Sequence, residues 1–234
     1  MEAIILAGGF GTRLSHIIKD IPKPMAFVCK KPFLLYVIND LIKKGIKKII
    51  IAVGYKKEII KNYFGYEYNN CQIIYSEENE PLFTGGAIKK ALGYCKTKNI
   101  FVVNGDTFFD VDLKKMFEFH LKKNSYITIA CKKMFDFDRY GTVKIENGYI
   151  KEFKEKSLTK EGYINGGIYV INRECFNYIS EKKFSFETDF LEREIKNKSI
   201  YSFLSDGYFI DIGIAQDYYK AQEDFAKNEQ SSLF

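Results

Sequence analysis

Runs of apolar residues alternate with amphipathic stretches through the first half of the chain. Positions 2–7, 48–53, 72–76 and 99–104 are short, largely apolar runs, and each reads as a strand. Between them, 33–44 behind Pro32, 57–64 and 84–94 carry apolar residues at helical spacing. Apolar strands alternating with amphipathic helices indicate a parallel sheet covered on both faces. After a further helix over 113–123 the pattern changes. Strands are predicted at 126–132, 142–145, 149–153 and 163–172, with Asn147-Gly148 marking a hairpin. Helices near 186–196 and 216–227 and strands at 200–203 and 208–211 follow, and 229–234 predicts a frayed tail. The expected fold is α/β, a mixed and mostly parallel sheet covered by helices, with an added mixed-sheet lobe. One domain over 1–228 is expected, divided near 112.

Composition narrows the class. The 234 residues are 46% hydrophobic and 16% aromatic, which excludes disorder. No apolar run approaches the ~20 residues that a membrane span requires. The first apolar segment lacks a basic flank and breaks at Gly8, so it reads as a strand and not as a signal peptide. Cysteines 29, 71, 95, 131 and 175 are dispersed and lack CxxC spacing, as expected for reduced thiols in a cytoplasmic protein without a metal cage. The net charge of +6 is carried mostly by lysine doublets spread along the chain. That pattern fits a solvated surface better than a nucleic-acid footprint.

Against this lysine background an arginine in a glycine-rich turn stands out. The 36 basic residues include four arginines, and one of them, Arg13, closes the segment Gly8-Gly9-Phe10-Gly11-Thr12-Arg13 directly after the first strand. Glycines let the backbone take positive φ and bring several N–H groups to an anion. A guanidinium adds a forked donor for phosphate oxygens. The segment lacks the Gly-Lys-Ser/Thr of a P-loop, and Leu14 stands where a dinucleotide fingerprint needs its third glycine. It reads as a polyphosphate cradle of another kind, or as a turn rich in glycine for packing.

Other candidate residues also fall at predicted strand ends, where open α/β sheets bind ligands. Pro22-Lys23-Pro24 holds a lysine in a segment expected to be stiff and extended. Thr84-Gly85-Gly86 follows the third strand; Thr84 could cap a helix, and the glycines could let a flat base pack on the backbone. Asn104-Gly105-Asp106 and Asp211-Ile212-Gly213 each place a carboxylate at a strand end. Either could be structural; together, beside a phosphate cradle, they fit a divalent ion shared with substrate phosphates.

Residues 8–14 followed by Pro22-Lys23-Pro24 resemble the signature of the sugar-1-phosphate nucleotidyltransferases. The resemblance continues through Asn104-Gly105-Asp106, Arg139-Tyr140-Gly141, Glu155-Lys156, Asn165-Gly166-Gly167 and Asp211-Ile212-Gly213, nearly the whole chain. The short length, residues 138–143 and residues 183–187 are similar to the D-glycero-D-manno-heptose 1-phosphate guanylyltransferase branch. The resemblance implies a Rossmann-like nucleotidyltransferase fold, with a nucleotide-binding part over about 1–112 and a sugar-binding part over about 113–228. It implies Mg²⁺ held by Asp106 and Asp211, and Arg13, Lys23, Asp106 and Asp211 as the catalytic set. Nucleotide contacts are implied for Leu6, Ala7, Gly8, Gly9, Gly11, Thr12, Arg13, Glu80, Pro81, Thr84 and Gly85. Sugar-phosphate contacts are implied for Gly105, Tyr140, Gly141, Glu155, Lys156, Asn165, Gly166 and Gly167. The substrates would be an NTP and a sugar 1-phosphate, supplying nucleotide sugar for capsule or cell-surface polysaccharide; a homodimer is compatible. Phe83 departs from the family by standing where many relatives have glycine, and Ile214-Ala215 replaces a common Thr-Pro.

The chemistry agrees with the sparse histidines. A sugar phosphate oxygen is already ionised at neutral pH, its second pKa being about 6, so no general base is required. His16 and His120 lie in no motif. A glycosyltransferase is the nearest rival, since Asp110-Val111-Asp112 and Asp136-Phe137-Asp138 match an Asp-x-Asp metal pattern, but it leaves Arg13 and Pro22-Lys23-Pro24 without a role. A non-catalytic nucleotide sensor would not need Lys23 and both aspartates. Uridylyl or cytidylyl transfer stays open. If the base is guanine, a carboxylate among Glu77, Glu78 and Glu80 could accept from its N1–H and amino group. Pro81 restrains the backbone of Glu80, making Glu80 the first choice.

Overall fold

The computed structural model describes residues 1–229 apart from positions 10, 12, 13, 15, 16 and 19. Its strands run in chain order as β1 (Glu2–Leu6), β2 (Phe27–Val28), β3 (Lys31–Pro32), β4 (Lys48–Val53), β5 (Glu67–Tyr68), β6 (Cys71–Glu77) and β7 (Asn99–Asn104). They continue as β8 (Thr107–Phe109), β9 (Ile127–Phe137), β10 (Gly141–Glu146), β11 (Tyr149–Lys156), β12 (Thr159–Asn172), β13 (Ile200–Leu204) and β14 (Phe209–Asp211). The helices are α1 (Phe33–Lys43), α2 (Lys57–Phe64), α3 (Phe83–Leu92), α4 (Leu113–Lys122), α5 (Glu192–Glu194) and α6 (Ala215–Glu229). A π-helical turn, Phe186–Leu191, leads into α5.

Ten strands form one sheet in the order β10-β11-β13-β9-β12-β7-β1-β4-β6-β5. The segment β7-β1-β4-β6 is parallel. β12 turns the sheet antiparallel against β7 and carries the second half of the chain onto the same sheet. Side chains alternate across it. Ala3, Ile5 and Ala7, Ile49, Ile51 and Val53, and Phe101 and Val103 join one buried cluster with α1 and Phe225 of α6. Ile4, Ile50, Ile100 and Val102 face the opposite cluster, formed with Ile88 and Ala91 of α3 and with Phe184, Phe186 and Phe190. Burial on both faces accounts for the near-continuous apolar strands.

Most predicted elements are present within a few residues of their expected bounds. The largest differences are in the second half. β9 runs to Phe137 and β12 begins at Thr159, because the two pair as a long antiparallel ribbon well past the apolar core. The helix expected over 186–196 is a π turn with one short α turn, its start capped by Ser185 accepting from Thr188 N. Asn147 and Gly148 both take positive φ, +52° and +82°, as the hairpin signal requires. The strand expected at 208–211 is β14, but its partner β8 and the short β2–β3 ribbon were not legible in the pattern.

Candidate active site

β1 delivers the glycine-rich segment to the carboxyl edge of the sheet. Leu6, Ala7, Gly8, Gly9 and Gly11 line a cleft of about 1010 Å³ that also takes in Ala52 of the neighbouring β4 and Asn104 at the end of β7. The strand ends are drawn together at Gly105, whose N–H donates to Leu6 O at 2.9 Å. A Cβ there would lie 2.7 Å from the same oxygen. Gly11 has φ +63°, and a Cβ on it would stand 2.7 Å from Lys23 Cβ. The loop thus closes directly on Lys23. Phe10, Thr12, Arg13 and His16 lie outside the described residues, so the contacts expected of Thr12 and Arg13 do too.

Lys23 begins a 3-10 turn, Lys23–Met25, behind an extended Pro22, and is not part of an extended segment as the two prolines predicted. Pro at N1 or N2 of a turn loses no hydrogen bond, which is why the motif can turn here. The Lys23 ammonium lies 2.5 Å from Asp106 Oδ2 and 3.6 Å from Asp211 Oδ1. The β8–β14 ribbon brings the two aspartates together: Asp211 pairs with Thr107, and Ile212 N donates to Asp106 O at 3.1 Å. Burial raises the Asp211 carboxyl above the usual range, and the Asp106 charge adds to this while Lys23 opposes it. Asp211 Oδ1 is buried without a hydrogen-bond partner. A buried acceptor left unpaired costs free energy unless a cation or donor meets it. Two adjacent carboxylates, one with an orphaned oxygen, match the donor set of Mg²⁺, which takes one or two carboxylates and fills its remaining positions with phosphate and water. Among the described residues no third His, Cys, Asp or Glu joins them.

At the other end of the cleft the acidic loop is sorted by strand alternation. Glu77 is held by Lys57 at 2.7 Å and Lys61 at 2.9 Å, and these charges keep its carboxyl down at about 2. Glu78 turns inward. Its Oε2 accepts from Leu82 N at 3.0 Å, and its Oε1 would lie 2.7 Å from a Cβ on Gly8. Burial raises its pKa, with the Leu82 N–H opposing. Glu80 and Pro81 also line the cleft, exposed. Of the three candidate carboxylates Glu77, Glu78 and Glu80, Glu78 is the half-buried one that lines the cleft, whereas Glu80, the first choice from sequence, lines it exposed.

Thr84 lines the cleft but does not cap α3, which starts one residue earlier. Its Oγ1 donates to Glu187 Oε2 at 2.7 Å and accepts from Phe186 N at 2.8 Å. Space at Gly85 and Gly86 is not left open for a base: a Cβ on Gly85 would overlap the Phe184 ring, and one on Gly86 would overlap Lys182 O. These glycines let residues 182–184 pack against the helix, and the cleft wall gains Ser185, Glu187 and Thr188 as a result.

The expected sugar-side residues are partly gathered. Gly167 has φ +74°, and a Cβ there would lie 2.8 Å from Asn104 Nδ2. Asn165 supports this turn, its Oδ1 accepting from Gly167 N at 3.0 Å and its Nδ2 donating to the buried Tyr169 hydroxyl at 2.8 Å. Gly166 is packed on the Phe109 ring. Tyr140 is half-buried, its pKa raised by burial and then by the Asp211 charge, and its hydroxyl accepts from Arg139 Nη2 at 3.0 Å. Arg139 also pairs with Asp217 at the start of α6. Gly141 and Lys156 pair across β10 and β11, where Glu155 and Lys156 are exposed; none of the expected sugar-side residues is among those that line the cleft.

The competing metal pattern has structural roles. Asp112 caps α4, accepting from Lys115 N at 3.0 Å, and Asp110 pairs with Lys44 at 2.8 Å. His120 is buried against Thr128, with burial pushing its pKa down to about 4. No helix among the described residues is long and apolar enough to cross a membrane.

D-glycero-alpha-D-manno-heptose 1-phosphate guanylyltransferase of Aneurinibacillus thermoaerophilus is 51% identical over 96% of this chain and 98% of its own length. The protein of the same name from Campylobacter jejuni is 52% identical over 94% of this chain and 97% of its own. The crystal structure of HddC from Yersinia pseudotuberculosis complexed with GMP-PN superposes with a TM-score of 0.87 at 39% identity, covering 96% of this chain and 99% of that one. The family described as nucleotidyl transferase matches residues 2–228, and the chain belongs to it.

Proposed function

We propose that this chain transfers a guanylyl group from GTP to D-glycero-D-manno-heptose 1-phosphate, giving a GDP-heptose and pyrophosphate. The observation that carries the reading is Lys23 held between Asp106 and Asp211 at the edge of a glycine-walled cleft, in a chain about half identical to two such guanylyltransferases over nearly its full length.

The backbone at Gly8, Gly9 and Gly11 receives the nucleotide phosphates, with Thr12 and Arg13 of the same loop on the leaving pyrophosphate. Lys23 presents a cation to the α-phosphate, where negative charge is greatest as the sugar phosphate oxygen attacks in line. The nucleophile is already ionised, so the residues need only position it and stabilise charge. Buried, neutral His120 is consistent with a reaction that uses no general base. Asp106 and Asp211 would hold Mg²⁺, which when bound there supplies Lewis-acid neutralisation of phosphate charge. Glu78 accepts from the N1–H and amino group of guanine, a donor pair that pyrimidines do not present. Asn104, Tyr140, Gly141, Asn165 and Gly167 form the side toward the sugar, with Glu155 and Lys156 beyond them on β11.

The test is a turnover matrix of GTP, ATP, UTP and CTP against heptose 1-phosphate and mannose 1-phosphate in Mg²⁺, read as pyrophosphate release and as nucleotide sugar. GTP with the heptose phosphate should give the highest kcat/KM. No GDP-heptose from that pair, or preferred use of another NTP, overturns the assignment.

A further inference from the structure

Ten described residues other than glycine take positive φ, and Phe83 at +58° is the single aromatic among them. A bulky L residue persists in this region only where its surroundings over-determine it. The flanks of Phe83 do so. Leu82 N is held by Glu78 Oε2 at 3.0 Å, and Leu82 O accepts from Phe184 N at 3.2 Å. On the other side Gly85 N donates to Phe184 O at 2.9 Å, and Thr84 is bonded to Glu187 and to Phe186 N.

The ring itself gains little burial in return. It is 57% exposed and lines the cleft directly after the residue that Glu78 grips. Lys183 Nζ stands 4.7 Å from its centroid, a cation–π contact that steadies the ring from one face. Glycine, expected here from the family resemblance, would hold the same backbone without strain. The ring is what this chain adds, and folding stability does not explain it. We infer that Phe83 is a stacking platform for the nucleobase that Glu78 reads, with Lys183 positioning the ring. This inference rests on the nucleotide-site reading above, though stacking itself is tolerant of base identity because every base has a π-face.

Three variants test it. Phe83→Gly and Phe83→Ala should raise the KM for GTP roughly 5- to 150-fold, the range for loss of one base–aromatic stack. kcat should stay within about twofold, since the ring binds ground and transition state alike. The Tm of Phe83→Gly should be no lower than that of the wild type, because the strained φ is relieved. The sequence contains no tryptophan, so Phe83→Trp carries a unique fluorophore, whose emission should be quenched when GTP and Mg²⁺ are added without sugar phosphate. Lys183→Ala should move the GTP KM in the same direction by less. If the wild type prefers another NTP, the guanine reading fails and the same titrations are run with that NTP. An unchanged KM in both Phe83→Gly and Phe83→Ala, or unchanged Trp emission with the preferred nucleotide, overturns the inference. A fall in Tm with KM unchanged would make Phe83 structural and overturn it equally.

Discussion

The Lys23 ammonium lies between two carboxylates that the chain supplies 105 residues apart, 2.5 Å from Asp106 and 3.6 Å from Asp211. Asp106 takes the direct hydrogen bond, which leaves Asp211 Oδ1 buried with the more distant ion pair and no hydrogen-bond partner. The two aspartates are therefore not equivalent. Asp106 is charge-matched within the protein, whereas Asp211 gains a full partner only from outside it.

This asymmetry sets opposite effects on folding and turnover at Asp211. Its folded pKa is raised above the unfolded value, so the stability it contributes is fully present below the ordinary carboxylate range. That contribution is lost as pH rises through the folded pKa. At neutral pH the ionised carboxylate is a cost to the fold. Asp211→Asn should therefore unfold at a higher temperature than the wild type at pH 7, with the difference shrinking toward pH 4, while kcat in Mg²⁺ falls by two or more orders of magnitude. Equal Tm values across that pH range would show that the carboxylate is not penalised.

Lys23→Gln should remove the counter-charge from both aspartates at once. Loss of one electrostatic donor at a reacting centre typically costs about 10²–10³ in kcat. The two carboxylates would then repel each other without compensation, so the variant should also be less stable at neutral pH and recover part of the loss on acidification. Steady-state kinetics and a pH series of thermal melts would check both effects; a kcat within tenfold of wild type would remove Lys23 from the chemistry.

Base selection separates the acidic residues of the third strand's end. Glu78→Gln should lower kcat/KM for GTP about 10- to 150-fold, the cost of one charge-assisted hydrogen bond of roughly 1.5–3 kcal/mol. UTP use should change little. Glu80→Gln should have a smaller effect, because its side chain is exposed, and Glu77→Gln should chiefly loosen α2 by losing Lys57 and Lys61. A GTP-to-UTP ratio that moves only in Glu80→Gln would return the role to the residue favoured by the proline argument.

That revision shows where a sequence stops being legible. The parallel strands, the glycine loop and the paired aspartates could be read because each follows from local pattern: apolar runs, missing Cβ atoms, carboxylates at strand ends. Glu78 stood among three candidate carboxylates, and alternation could have singled it out, since it puts Glu77 and Glu78 on opposite sides and α2 offers Lys57 and Lys61 to one of them. The use of Gly85 and Gly86 could not, because the atoms that fill their space belong to residues 182–184, about a hundred positions later. The same holds for Thr84, whose helix-capping chemistry is spent on Glu187. The strand ending at Asp211 was expected, but its three-residue partner β8 was not, because it is defined by pairing with β14 about a hundred positions later.

The Asp-x-Asp pattern at Asp110 and Asp112 should be dispensable for turnover. Asp112→Ala should cost about 1 kcal/mol of stability through the lost cap of α4 and leave kcat unchanged. Asp110→Asn should do little, since its pairing with Lys44 is surface-exposed and Lys44 also holds Asp40. Loss of turnover in these two variants, beyond any loss of folded protein, would point back to glycosyl transfer.

Arg139 provides the last test, because it joins Tyr140, on the proposed sugar side, to Asp217, on the helix that follows Asp211. Its guanidinium donates to the Tyr140 hydroxyl at 3.0 Å and pairs with Asp217, six residues after Asp211 along the chain. A guanidinium serves both partners from a rigid fork, and an ammonium keeps the charge while losing the fixed angle between its bonds. Arg139→Lys should therefore keep most of the fold but let Tyr140 and the start of α6 move independently. Since Tyr140 and Gly141 face the sugar in the proposed site, KM for the sugar 1-phosphate should rise by about tenfold, the scale of one weakened charged hydrogen bond. KM for GTP should stay near the wild-type value. If both KM values rose together, or neither moved while Tm fell, the Arg139–Asp217 pair would be a brace for α6 with no part in placing the sugar.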